Sequence, residues 1–263
     1  MAKQDEAEDE IETGKARLFV PSDLAEAASV PLDSGQTHYL RHVLRLTPGD
    51  AVQLFNGRDG EWLARIARFA KQGGDVVAER RTRPQPPAPP ALVLAFAPIR
   101  KQRLDVVIEK AVELGATRLC PVLTERTSHG RLKRERIEAQ IREAAEQCER
   151  LDLPVLEEAQ PLAAFLTGWK PEIPIFLAAE AGEVLPLADA LMQCPARSPV
   201  GFVIGPEGGF SGEELAFLSG NALLRAIGLG PRILRAETAA IAVLSTWQAL
   251  RGDGASRPPG RTV

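Results

Sequence analysis

The chain has 263 residues, 44% of them hydrophobic and 25% charged, which is the profile of a globular protein with room for two domains or one large one. No apolar run approaches the roughly 20 residues that span a bilayer, and the amino-terminal stretch MAKQDEAEDEIETGK lacks a signal-peptide core. A cytoplasmic protein with no membrane partner is therefore expected. Cys120, Cys148 and Cys194 form no CxxC pair and the three histidines form no HExxH, which argues against a disulfide framework, a zinc site or another metal centre.

The net charge of −3 hides an asymmetry. Residues 1–16 hold six acids and two lysines, a net −4, so the remainder carries about +1. This acidic, aromatic-free tail is expected to be disordered. The near-neutral body allows a nucleic-acid partner without announcing one.

Residues 17–83 carry short β-like runs, Arg17–Val20, Ala51–Phe55 and Glu61–Ile66, punctuated by Pro48-Gly49-Asp50 and by the segment from Asn56 to Gly60. Hairpins in a small barrel are predicted. The stretch from His38 to Arg45 reads as a short helix with a basic face. Five prolines within residues 84–90 favour extended polyproline geometry and a semi-rigid linker, the alternative being a long loop inside one domain.

After the linker the rhythm changes. Ala91–Ala97 (ALVLAFA) is a continuous apolar run, as in a strand buried on both faces. Leu104, Val107, Ile108, Ala111 and Leu114 then fall at helical spacing and stop at Gly115. Further strands are predicted at Leu119–Leu123, Ile173–Ala178, Val200–Ile204 and Leu223–Leu229, with helices between them, including one over roughly residues 133–150. This alternation predicts an α/β domain over 91–252 with a mostly parallel sheet, followed by a flexible tail, 253–263.

Two turns stand out. IGPEGGFSGEEL (204–215) leaves the carboxyl end of a predicted buried strand, with Ser211 as an N-cap and Glu213 and Glu214 in the first helical turn. Ligands bind beyond the carboxyl ends of strands in open α/β sheets, where backbone free of side chains can approach them. A polyphosphate is disfavoured, because the GxxxxGK[ST] and GxGxxG spacings are absent and Glu207 sits mid-loop. A cationic or zwitterionic ligand fits better, and a tight structural turn remains the alternative. The second turn, IGLGPRILRAETA (227–239), precedes a strongly apolar helix that Glu237 or Thr238 could cap.

The pair IGPEGGF and LGPRILRAETAA resembles the SPOUT-class methyltransferases, and more narrowly the ribosomal RNA small subunit methyltransferase E family. RLFV at 17–20, His38 with HVLRLTPGD at 42–50, and Lys101 with DVVIEKAVELG at 105–115 extend the likeness. So do TERTS at 124–128 and EAAEQCERLDLP at 143–154. The resemblance implies a PUA-like β-barrel at 17–83 that helps bind RNA, then a SPOUT-type trefoil-knotted α/β domain. It implies S-adenosyl-L-methionine as cofactor and methylation of N3 of a uridine in 16S ribosomal RNA of the small ribosomal subunit. It also implies a homodimer paired through the carboxyl-terminal helix, with the active site near the interface.

By the same resemblance, the cofactor is held by Leu177 and Ala178; by Gly205, Pro206, Glu207, Gly208 and Gly209; and by Leu229, Gly230, Ile233, Leu234 and Arg235. Uridine N3 carries an imide proton and is a poor nucleophile, so positioned positive charge should stabilise its anion. Arg235 is the catalytic candidate, the alternative being a salt bridge to Glu207 or Glu237, and Glu207 is a candidate base. Arg17, Arg41, Arg45, Arg100, Lys101 and Arg103 are candidate RNA contacts, or solvated surface charges. Three other readings remain open: a non-catalytic RNA-binding protein, a SPOUT enzyme acting on a different RNA, and a Rossmann-type nucleotide enzyme.

Overall fold

A computed structural model describes residues 13–71, 73–127, 132–179 and 184–257. Most of the acidic tail, Ser128 of the TERTS block and residues 258–263 of the expected carboxyl-terminal tail lie outside the described residues. Two compact units emerge, one ending at Pro87 and the other beginning at Ala88. A single cut does not separate them, because Glu149–Asp152 packs with the first unit.

The first unit holds β1 (Arg17–Phe19), β2 (Ser29–Leu32), α1 (Ser34–His38), β3 (Ala51–Phe55), β4 (Glu61–Ala70) and β5 (Gly73–Arg83). Its strands form one five-stranded sheet in the order β1-β3-β4-β5-β2, antiparallel except where β1 runs parallel to β3. β4 and β5 slip register at three places, Glu61/Trp62, Leu63/Ala64 and Ile66/Arg68. Such bulges bend a strand pair, which lets the sheet curl around Leu18, Val30, Leu54, Ile66 and Val76.

The helix predicted at His38–Arg45 starts earlier and changes type. Asp33 and Gln36 form a capping box that starts α1, and Tyr39–Val43 continues as a π-helical turn. Arg45 then takes a φ of 57°.

The second unit begins with β6 (Leu92–Phe96), α2 (Lys101–Glu113), β7 (Arg118–Leu123) and α3 (Arg134–Gln147). The short β8 (Val155–Leu156), β9 (Gln160–Pro161) and α4 (Leu162–Thr167) follow, then β10 (Ile175–Ala178), β11 (Leu185–Pro186) and α5 (Leu187–Met192). It ends with β12 (Val200–Ile204), α6 (Gly212–Gly220), β13 (Leu224–Gly228) and α7 (Ala236–Leu250). The main strand order is β11-β13-β10-β12-β6-β7-β8, with β9 alongside β7, and the pairings are parallel.

All five residues of β6 and all five of β12 are buried, as their unbroken apolar runs predict. Cys120 lies in that core, and burial pushes its thiol up to about 11, the condition of an inert packing residue. Gly115 ends α2 with a φ of 79°, and Gln248 on α7 donates to the Leu114 carbonyl there at 2.8 Å. Among the described residues no helix is long and apolar enough to cross a membrane.

Candidate functional site

Three connections converge beyond the carboxyl ends of β10, β12 and β13. Together they enclose a cavity of about 620 Å³, within the size range of small-molecule sites. The first wall is the end of β10, with Leu177, Ala178 and Ala179. The second is the glycine loop with Gly205, Pro206, Glu207, Gly209 and Phe210. The third carries Leu229, Gly230, Ile233, Leu234 and Arg235, with Arg232 beside them.

The glycine loop turns tightly because Gly209 N–H donates to the Pro206 carbonyl at 3.0 Å, with a Gly209 φ of 67°. Gly230, at 97°, also needs a left-handed backbone. Gly205 is required for space: a Cβ there would lie 2.8 Å from the Phe210 ring. Ser211 caps α6 as expected, in a reciprocal capping box with Glu214. The other oxygen of Glu214 accepts from Glu125 N–H at 2.8 Å, and Arg126 donates to the Gly208 carbonyl at 2.9 Å. The Thr124–Thr127 turn thus braces the loop from outside.

Gly208, expected among the cofactor contacts, stands just outside the cavity lining. A Cβ there would meet Arg126 at an ordinary 3.6 Å. What the loop needs at this position is the carbonyl that Arg126 holds.

The charged residues also change partners. Arg103, expected to contact RNA, lines the cavity instead and donates to Glu207; its Nε is 3.6 Å from Glu237. Charge alone could not place it in the cavity wall, since a sequence does not say which acids an arginine meets. Glu207, expected as a base, is already occupied by that guanidinium. Glu237 does not cap α7, because the N-cap is Arg235. Its Oε2 is buried and has no hydrogen-bond partner among the described residues, an orphaned acceptor next in sequence to Ala236 of the cavity wall.

Arg235 makes no side-chain cap and is exposed at the cavity rim, without the salt bridge to Glu207 or Glu237 that was its alternative role. Arg100 and Lys101 are exposed at the start of α2, where no acid occupies the first turn. Cations at a helix amino terminus oppose its dipole, so their placement there is not explained by helix stability. Arg41 and Arg45 are exposed in the first unit, around the π-helical turn. Arg17 is not available to RNA. Its side chain is 8% exposed, ion-paired to Glu61 at 2.5 Å and stacked 4.1 Å over the Phe55 ring.

An RNA methyltransferase domain family matches residues 86–248, and an RNA methyltransferase PUA domain family matches residues 32–77. The ribosomal RNA small subunit methyltransferase E of Rickettsia conorii is 34% identical over 235 residues, covering 87% of this chain and 93% of that one. The chain belongs to the ribosomal RNA small subunit methyltransferase E family.

Other members of this family are also similar. The Synechocystis protein of the same name is 33% identical, covering 89% of this chain and 77% of that one. A crystal structure of the ribosomal RNA small subunit methyltransferase E of Neisseria gonorrhoeae, bound to S-adenosyl methionine, superposes with a TM-score of 0.77. It is 27% identical and covers 90% of this chain and 98% of that one. The family thus accounts for both units, an α/β domain of SPOUT type and a PUA-like first domain.

Proposed function

We propose that the protein is an S-adenosylmethionine-dependent methyltransferase acting on N3 of a uridine in 16S ribosomal RNA of the small subunit. The observation that carries this is the cavity at the strand ends, walled by the two glycine-containing turns and the end of β10. Its residues fit the cofactor. Gly205, Gly209 and Gly230 bring main chain to the cavity wall, and Glu207 with Glu237 supplies carboxylate character suited to a sulfonium. Leu177, Leu229, Ile233 and Leu234 offer apolar contact. When bound, the cofactor supplies an electrophilic methyl group.

The chain's own part is to bind, orient and stabilise charge. Arg235 is exposed at the rim, where its guanidinium can stabilise the imide anion of the uracil as the N3 proton passes to water. Glu207 serves as a holder of Arg103 rather than as the base. RNA phosphates are met by Arg41 and Arg45 in the first unit and by Arg100 and Lys101 in the second, all exposed.

A cytoplasmic homodimer completes the reading. Ala240, Val243, Leu244 and Trp247 bury one face of α7, yet Ile241 and Ala242 on other faces are only half-buried. Ile233 is 80% exposed and Leu215, which lines the same cavity, is 50% exposed. Apolar side chains so placed suit a second copy. A dimer mass by light scattering at micromolar concentration is expected, and a monomer would refute it.

The substrate is tested by primer extension, because a methyl group on N3 blocks Watson–Crick pairing. Extension should stop at one uridine in assembled small subunits treated with enzyme and cofactor, and much more weakly in deproteinised RNA. The near-neutral body suits a preformed ribosomal surface over electrostatic capture of free RNA. Equal stops on both substrates would contradict that preference, and no stop on either would contradict the reaction.

A further inference from the structure

Arg103, Glu207 and Glu237 come from three separate elements: the first turn of α2, the glycine loop and the first turn of α7. Their side chains are 32%, 28% and 15% exposed, so the charges are progressively shielded from water towards Glu237. One cation against two carboxylates leaves the trio one negative charge in excess. The orphaned Oε2 of Glu237 concentrates that excess in a buried place, where Coulomb interactions are screened least. Arg232 and Arg235 sit nearby but are exposed, and solvent and salt screen them more strongly.

We propose that this trio sets how strongly the cavity prefers the sulfonium cofactor over the thioether product, with Arg103 trimming the local charge from −2 to −1. The inference rests on the reading of the cavity as an S-adenosylmethionine site. During transfer the N3 lone pair forms the new N–C bond while the C–S bond breaks and its electron pair stays on sulfur. The N3 proton goes to water. The ligand therefore loses one methyl group and one unit of positive charge, and little else about it changes.

A trio at −2 would hold the cofactor more tightly, but discharging the sulfonium would forfeit that attraction in the transition state. A trio at zero would lose its attraction for the sulfonium, so product would compete with cofactor on nearly equal terms. The net −1 favours the cofactor without either penalty. Arg103 is a specificity-determining residue in this account.

The test is calorimetric titration with S-adenosylmethionine and with S-adenosylhomocysteine at one pH and ionic strength. The quantity read is the ratio of product Kd to cofactor Kd. Both ligands use the same loops, so a loosened loop weakens both and cancels in the ratio. Arg103→Gln should raise the ratio about tenfold and Glu237→Gln should lower it about tenfold, the order expected for removing one unit charge near the ligand at an effective dielectric constant of about 20. The double variant Arg103→Gln/Glu237→Gln restores the net −1 and should return to within about threefold of the starting ratio. If either variant fails to fold, Glu207→Gln, on a different element, should lower the ratio as Glu237→Gln does. Ratios that stay flat across the series, or a double variant that does not return, would overturn the charge assignment. An unaltered protein that binds neither ligand would overturn the cofactor reading itself.

Discussion

Arg17 and Glu61 form an ion pair inside the first unit, Nε to Oε2 at 2.5 Å, with side chains only 8% and 4% exposed. Arg83 reaches the same carboxylate at 2.8 Å, and Gln53 donates to its other oxygen at 3.1 Å. The two arginines also donate to the main-chain carbonyls of Arg150 and Glu149, at 2.5 Å and 3.1 Å. One carboxylate therefore organises β1, β4, the end of β5 and the distant segment Glu149–Asp152.

Glu61→Gln should destabilise the first unit by about 3–5 kcal/mol, because it leaves two shielded guanidinium groups without their counter-charge. The urea midpoint reports it, with the slope unchanged. The same pair makes stability depend on acid. Burial pushes the Glu61 carboxyl up, but the hydrogen bonds from Arg83 and Arg17 outweigh it and hold the carboxyl below its ordinary value. A folded value below the unfolded one means the contribution is complete above the unfolded carboxylate value of about 4.3 and is lost as pH falls through the folded one. Glu61→Gln should flatten that acid limb. An unchanged limb would place the acid sensitivity elsewhere.

Gly205 and Gly208 should respond differently to the same substitution. A methyl group at Gly205 would push the Phe210 ring out of its place in the cavity wall, a strain of about 1–3 kcal/mol. Gly205→Ala should weaken cofactor binding roughly fivefold or more, and Gly208→Ala should leave it nearly unchanged, as read by calorimetry. The reverse order would show that Gly208, and not Gly205, faces the cofactor.

The parallel sheet was the most legible part of the fold. Ala91–Ala97 and Val200–Ile204 are apolar without interruption, and only strands covered on both faces tolerate that. β5 was harder to see. Beyond Gly73-Gly74 it runs through Glu79, Arg80, Arg81 and Arg83, whose strand character comes from pairing with β4 and from Glu61, a partner far away in sequence. The cavity walls followed from glycines and strand ends, which are local signals. The pairing of Arg103 with Glu207 and Glu237 joins residues more than a hundred positions apart, and no local pattern encodes which acid meets which base. Arg17 failed as an RNA contact for the same reason.

Arg235→Ala should lower the rate of methyl transfer on the order of a hundredfold while changing cofactor affinity much less. Among the described residues the side chain has no cap or ion pair to lose, so its removal costs the fold little. Single-turnover kinetics separate the two effects. A normal transfer rate would leave Arg235 as a passive part of the rim.

The identity of the product decides the function. Small subunits lacking the modification are incubated with the protein and S-adenosylmethionine carrying a labelled methyl group, and the ribosomal RNA is then mapped by mass spectrometry. A single labelled nucleoside, N3-methyluridine, is expected at one position of the 16S RNA. Label on a ribose or on another base, or no label on the RNA, would contradict it.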